Sequence, residues 1–141
     1  MTAQISRTIE NCDESLKTKA ELLGTALDDI TAMTGALTGY FISAAQHPTD
    51  IHKVGLGSVR YLLAVGDLLI GWQLLVQADI AHATLTTIIT GNDVKIDSAF
   101  YQGKIATTAF LAKNILPRLT TLRGIIESID DEIMRVSEDA F

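Results

Sequence analysis

The stretch that decides the fold is IATTAFLAKNILPRLTTLRGIIESI, which runs from Ile105 to Ile129. Its apolar or small residues recur at alternating steps of three and four, the 3.5-residue repeat of a helix that packs lengthwise against its neighbours. This stripe consists of Ile105, Thr108, Ala112, Ile115, Leu119, Leu122, Ile126 and Ile129. Pro117 lies off the stripe, so it can kink the helix without interrupting the buried side. We predict a long helix over about residues 97–128.

The N-terminal segment, about residues 6–45, shows the same repeat with Lys19 as its one misfit. The stripe consists of Ile9, Cys12, Leu16, Leu23, Ala26, Ile30, Met33, Leu37 and Tyr40. Gly35 and Gly39 lie four residues apart on one side, which lets another backbone approach closely, and packing inside the bundle is the favoured explanation. The segment ends at residues 46–50 (QHPTD), because the residue before a proline avoids helical geometry.

The middle segment, about residues 51–90, has apolar residues on every face of its central part, residues 61–76. Such a pattern predicts a helix that is buried nearly all round. The β-branched residues 84–90 are also compatible with a strand, but the sequence offers no partner strand. Gly91 and Asn92 supply a stop signal at the C-terminal end of the helix.

The same middle segment does not have the composition of a membrane span. Arg60, Asp67 and Asp79 interrupt it, and its charge-free runs, such as residues 68–78, are short. A transmembrane helix needs about 20 predominantly apolar residues, so we predict no membrane span.

Together these segments predict an all-α fold, an antiparallel bundle of three long helices plus a short C-terminal helix at about residues 130–136. The 141 residues form one domain, 1–141, by the usual size of domains. The chain is 48% hydrophobic with a mean hydropathy of +0.27. Because so small a domain has a large surface for its volume, we expect an exposed apolar patch that another copy or another domain covers.

Charge and cysteine content exclude several classes of function. Eleven basic against 17 acidic side chains give a net charge of −6, and the cations are scattered, which argues against nucleic acid and against a basic membrane-binding patch. The single cysteine, Cys12, excludes an internal disulfide. Polar residues such as Gln4, Arg7 and Glu10 leave no signal-peptide pattern at the start, so the expected location is the cytoplasm.

Candidate chemical motifs are weak. His47, Asp50 and His52 share a loop, but their spacing matches no metal-ligand signature and a capping loop contains the same residue types. Gly55-Leu56-Gly57 follows no strand and lacks the rest of a phosphate-binding loop. Cys12 lies on the apolar stripe and is interpreted as a small core residue rather than a nucleophile. We assign no catalytic, cofactor-binding or metal-binding residue.

One carboxylate stands out, because Asp67 interrupts the most apolar part of the chain. A lone buried carboxylate is unfavourable, so we predict a buried ion pair with Lys104, with Arg60 on the same face. A functional carboxylate is the alternative. His82 follows Asp79 by one turn and is interpreted as its structural partner. Acidic residues near the chain end are interpreted as a solvated face: Glu127, Asp130, Asp131 and Glu132.

Residues 97–118 resemble the C-terminal helical extension found in a subgroup of acyl-CoA dehydrogenases. The similarity lies in the start FY-x-GK-I-A at residues 100–106, the aromatic Phe110 and the pair Leu116-Pro117. The chain end, residues 126–141, and two apolar pieces of the middle segment, Tyr61-Leu62-Leu63 and Gly71-Trp72, are similar to that extension as well.

The resemblance implies a parent enzyme that removes two hydrogens from the α and β carbons of a fatty acyl-CoA. In that family a glutamate takes the α proton and FAD takes the β hydride, and these sites lie in domains upstream of the extension. No segment here corresponds to the catalytic glutamate or to the flavin-contacting loops, so no catalytic residue is transferred. Phe100, Tyr101, Lys104 and Pro117 match as a signature of the fold.

Two functions follow as hypotheses. The first is an accessory C-terminal helical domain of an FAD-dependent acyl-CoA dehydrogenase, not catalytic alone, whose partner is the upstream enzyme or another copy in a homodimer. The alternative is a stand-alone helical interaction protein that self-associates. An independent enzyme has only Asp67 and the histidines in its favour.

Overall fold

A computed structural model describes residues 1–88 and 94–140 of the chain. Five α-helices follow one another: α1 (Thr2–Asn11), α2 (Lys17–Ser43), α3 (Asp50–Ile88), α4 (Val94–Asn114) and α5 (Arg118–Glu127). Short 3₁₀ turns lie at Glu14–Leu16, Glu132–Arg135 and Glu138–Ala140. The described residues contain no strand, and the prediction of an all-α helical bundle is confirmed.

The first predicted helix is divided in two. Cys12 is extended, with φ −69° and ψ 157°, and the Asp13 side chain accepts a hydrogen bond of 2.8 Å from the Ser15 amide. Asp and Ser favour such caps and turns over a helix interior. Helix α1 then folds back on α2, since a Cβ on Gly24 would lie 3.9 Å from Ile9 Cδ1. In one continuous helix these two residues would be about 22 Å apart.

The predicted helix over residues 97–128 is also divided, at Pro117. Helix α4 ends at Asn114 and α5 begins at Arg118, and the Leu116 amide donates to the carbonyl of Leu111, five residues back. Proline has no amide hydrogen and its ring crowds the preceding turn, so the regular ladder stops here. The apolar stripe stays on the core side across the break, and its most buried members are Thr108, Ala112, Leu119 and Ile126.

The remaining boundaries differ in smaller ways. The predicted short helix at 130–136 is a 3₁₀ turn, Glu132–Arg135. Residues 84–88 are helical, in agreement with the predicted middle helix, and the alternative of a strand is wrong for them. The expected end of the middle helix at residue 90 and the stop signal at Gly91-Asn92 lie outside the described residues.

The core lies where α2, α3 and the α4–α5 pair meet. Two glycines of α3 mark close approaches to its neighbours. A Cβ on Gly57 would lie 2.9 Å from side-chain carbons of Leu37 and Ile129, and a Cβ on Gly71 would lie 3.1 to 3.3 Å from those of Leu116, Leu111 and Leu23. The largest fully buried side chains are Ile5, Leu16, Leu23, Met33, Leu68, Leu75, Leu119 and Ile126.

Helix α3 is not buried all round, contrary to the sequence prediction. Its outer face carries apolar side chains that are 53 to 69% exposed: Val59, Leu62, Leu63, Ile70 and Ile80. By length and composition alone, residues Asp50–Thr87 are apolar enough to cross a membrane, which is weak evidence because long helices of other proteins pass the same test. The expected apolar patch is therefore present on this chain.

Candidate functional site

His47 lies in the connection between α2 and α3, whereas Asp50 and His52 lie in the first turn of α3, where Asp50 makes structural contacts. Asp50 accepts a 2.6 Å hydrogen bond from the Ser43 hydroxyl and pairs with Lys53 Nζ at 2.8 Å. Lys53 and Ser43 together hold the pKa of Asp50 below its ordinary value, and Asp50 in turn raises the pKa of Lys53. The described residues contain no group of three or more His, Cys, Asp or Glu side chains placed to hold a metal ion.

The predicted ion pair between Asp67 and Lys104 does not form. Lys104 Nζ donates instead to Gln77 Oε1 at 2.9 Å and lies 5.3 Å from the centre of the Phe100 ring. Gln77 is ten residues beyond Asp67, or about 15 Å along α3, so α4 brings Lys104 to the wrong level. Asp67 is half-buried. The Arg60 guanidinium donates to the carbonyl of Leu56.

Asp79 and His82 act together, but through a third residue. Asp79 Oδ1 accepts a 2.9 Å hydrogen bond from the Asp13 amide, and His82 Nδ1 lies 3.5 Å from Asp13 Oδ2. Hydrogen bonds from Ser15, and secondarily His82, lower the pKa of Asp13. These contacts attach the turn after α1 to α3. Cys12 beside them packs partly against the core, and burial raises the pKa of its thiol.

The acidic residues near the chain end are not all solvated, which corrects the sequence interpretation. Asp131 is 4% exposed and accepts a 2.6 Å hydrogen bond from Arg135, which lowers its pKa. Close by, the Tyr40 hydroxyl donates to the carbonyls of Ile126 and Glu127 at the end of α5. The end of the bundle is therefore held by polar contacts.

A second buried carboxylate joins α2 to α5. Asp29, 3% exposed, accepts a 2.7 Å hydrogen bond from the Thr120 hydroxyl and lies 3.5 Å from the Arg123 guanidinium. Arg123 also contacts Glu127 at 2.8 Å, and Glu127 is the main cause of its raised pKa. Asp29 belongs to no motif that the sequence offers. Its position between Ala26 and Ile30, two members of the apolar stripe of α2, was the sequence signal that could have indicated its burial.

An open groove follows the outer side of the seam between α2 and α3. Two shallow cavities, of about 260 and about 680 Å³, share Thr34, Thr38 and Tyr61 and so form one depression, which we call the α2–α3 groove. Its floor includes a 2.8 Å hydrogen bond between the hydroxyls of Thr34 and Tyr61. Its lining also includes Met1, Ile30, Gly35, Gly39, Phe41, Ile42, Val54 and Leu68.

Helix α1 covers the other half of the same seam. Ile5 of α1 is fully buried, and Trp72 Nε1 of α3 donates a 2.9 Å hydrogen bond to the Thr8 hydroxyl of α1. Met1 and Thr2 form the wall at which α1 ends and the groove begins. One half of the seam is therefore closed by this chain's own helix and the other half is open.

Gly35 and Gly39 belong to the open half. No atom lies within 4 Å of a Cβ built on either glycine, so the expectation that they pack inside the bundle is wrong. Glycine in a helix interior costs about 0.5–1 kcal/mol relative to alanine. Nothing on the described part of this chain makes use of the close approach that they permit.

The described residues expose apolar side chains on the outer face of α3 and along the α2–α3 groove. Residues 1–137 of the chain match one family model, described as "Acetyl-CoA dehydrogenase C-terminal like". The chain belongs to this family, and its resemblance to the C-terminal helical region of acyl-CoA dehydrogenases is confirmed.

One curated relative is the broad-specificity linear acyl-CoA dehydrogenase FadE5 of Mycobacterium tuberculosis. It is 50% identical to this chain over 126 residues, which are 89% of this chain and 20% of the relative. The chain thus spans about one fifth of the length of the enzyme that it matches.

Proposed function

We propose that the chain serves as the accessory C-terminal helical domain of an FAD-dependent acyl-CoA dehydrogenase, with no catalytic activity of its own. The observation that carries the proposal is the 50% identity to one fifth of such an enzyme. In this proposal the reaction of the parent enzyme is α,β-dehydrogenation of a fatty acyl-CoA, and the enzyme is cytoplasmic.

FAD belongs, in this proposal, to the rest of the parent enzyme. A flavin dinucleotide carries a diphosphate, which proteins bind with Arg, Lys or helix N-terminal amides. The two cavities of the α2–α3 groove are lined by Tyr61, threonine and apolar residues, and a third cavity by Asp79, threonine and apolar residues; none of the three is lined by Arg or Lys. The residues at these cavities do not fit the cofactor.

The accessory role is to cover the enzyme body or to assist assembly of its subunits. Its support is the amount of exposed apolar side chain on the outer face of α3 and at the end of α2. Large exposed apolar patches mark sites of contact with other proteins.

The experiment is a complementation assay. The M. tuberculosis relative is expressed without the segment that matches this chain, and the present chain is supplied separately. We expect the two to co-purify and the chain to restore acyl-CoA oxidation, measured with an artificial electron acceptor. The chain alone should be colourless and inactive. FAD retained by the chain through gel filtration would contradict the proposal.

A stand-alone protein that self-associates is the second candidate. The exposed stripe of Leu62, Leu63 and Ile70 on α3 favours it, because a symmetric dimer would bury this stripe. Light scattering of the chain at micromolar concentration decides this point. A homodimer that neither binds the truncated enzyme nor restores its activity would favour the stand-alone protein.

A further inference from the structure

Helix α1 runs in opposite directions relative to its two neighbours, α2 and α3. Ile9 lies against Gly24 of α2, whereas Met1, eight residues earlier, lines the groove together with Ile30. Helix α1 is therefore antiparallel to α2. On α3 the order is reversed, since Thr8 contacts Trp72 and Met1 shares a cavity wall with Leu68, so α1 runs parallel to α3.

The direction of α1 determines where any residue joined ahead of Met1 would lie. Each helical residue added there advances along α2 from Ile30 towards Ile42 and along α3 from Leu68 towards Val54. These are the two walls of the α2–α3 groove. The groove is the straight continuation of the path that α1 already follows.

The dimensions of the groove fit a short helix. From Ile30 to Ile42 its α2 wall covers about 12 residues, or about 18 Å, which is about three turns of α-helix. The open Cβ positions of Gly35 and Gly39 face the space in question and permit a close approach of backbone. Phe41 and Ile42 stand exposed at its far end, at 63 and 67%.

We propose that the α2–α3 groove is the seat of an amphipathic helix that continues α1 in the N-terminal direction. Longer chains of the family supply this helix from the segment directly ahead of the region that matches residue 1. The inference rests on the proposed function for the origin of the segment, because the relative has four fifths of its length outside the match. This helix is then the part of the parent enzyme that directly precedes this domain in sequence and packs against it.

The test extends the present chain. About 14 residues that precede the position equivalent to Met1 in the M. tuberculosis relative are fused ahead of Met1, and a scrambled segment of the same composition serves as control. We expect the native segment to raise the Tm, followed by circular dichroism, by about 3 °C or more and to add helix. The scrambled segment should do neither.

A matched pair of glycine variants locates the effect. Gly39→Leu and Gly103→Leu both replace an exposed helical glycine with nothing within 4 Å of its Cβ, but only Gly39 lines the groove. In the unextended chain both should raise the Tm to a similar degree. In the extended chain Gly39→Leu should abolish the gain from the added segment, whereas Gly103→Leu should keep it.

Three outcomes would overturn the proposal. They are the absence of any gain from the native segment, an equal gain from the scrambled segment, and a gain that survives Gly39→Leu. If instead the unextended chain is a dimer that Gly39→Leu dissociates and the extension leaves unchanged, a second copy occupies the groove and the proposal fails. None of these results depends on enzyme activity, so they are separable from failure of the complementation assay.

Discussion

The two halves of the α2–α3 seam differ in what covers them. In the half under α1, Ile5 and Leu23 are 0 and 1% exposed. In the half beyond Met1, Phe41 and Ile42 stand open beside two helical glycines. Apolar patterning on a helix therefore shows that a partner surface is needed, and it does not show which chain supplies that surface.

The largest effect should separate the two halves by stability. Ile5→Ala removes a fully buried side chain from the covered half, and we expect a loss of about 2–5 kcal/mol in the free energy of unfolding. Ile42→Ala in the open half should change it by less than about 0.5 kcal/mol. Urea denaturation measures both. Similar losses for the two variants would mean that the open half is covered in solution.

A second comparison lies on α3 itself. Gly71→Leu forces a side chain between Leu116, Leu111 and Leu23 and should destabilise the chain by about 1–3 kcal/mol. Gly66→Leu, five residues earlier, meets nothing within 4 Å and should stabilise it by about 0.5–1 kcal/mol through helix propensity. Opposite signs in thermal unfolding support the distinction between the inner and outer faces. Destabilisation by both variants would contradict it.

The end of the open half is held by charge and should respond to acid. The pKa values of Asp50 and Asp131 are lowered in the folded chain by Lys53 with Ser43 and by Arg135, respectively. Their contribution is complete above the unfolded carboxyl pKa, about 3.9, and is lost as the pH falls through the lower folded value. The Tm should therefore decrease as the pH falls below about 4.

Asp131→Asn provides the control for this pH dependence. The variant should have a lower Tm at pH 7 and a smaller further decrease between pH 5 and pH 3, because one of the titrating contacts is already absent. Asp28→Asn, at an exposed position of α2, should leave the acid profile unchanged. An acid profile of Asp131→Asn identical to that of the unsubstituted chain would contradict the assignment.

The smallest effect concerns Cys12 at the far end of the covered half. Burial raises the pKa of its thiol, so at pH 8 we expect slower reaction with a disulfide reagent than in the chain unfolded by urea. Ile5→Ala should speed the reaction by loosening α1. Equal rates in the folded and unfolded chain would show that α1 does not protect this end.

The sequence was most informative where one periodicity governs a whole segment. The stripe from Ile105 to Ile129 predicts the buried side of α4 and α5 even across Pro117, because a kink off the stripe leaves the apolar positions facing the core. The break at Asp13 was not predicted. A 3.5-residue repeat continues on either side of it, and only the cap formed by Asp13 and Ser15 distinguishes a turn from a continuous helix.

Contacts between segments were beyond the reach of the sequence. The pairing of Lys104 with Gln77 rather than Asp67 depends on how far α4 is shifted along α3, which no local pattern specifies. The open position of Gly35 and Gly39 has the same origin, since it depends on where α1 stops. For the candidate site, the sequence indicated an uncovered apolar surface and a family, whereas its place on the seam required the arrangement of three helices.

Trp72 is the only tryptophan of the chain, and its indole N–H is bonded to the Thr8 hydroxyl of α1. Its emission spectrum therefore reports on one contact, the attachment of α1 to α3. A red shift that precedes the loss of helical circular dichroism during unfolding would mean that α1 detaches as a separate unit. The chain thus contains an intrinsic optical probe at the boundary between the two halves of the seam.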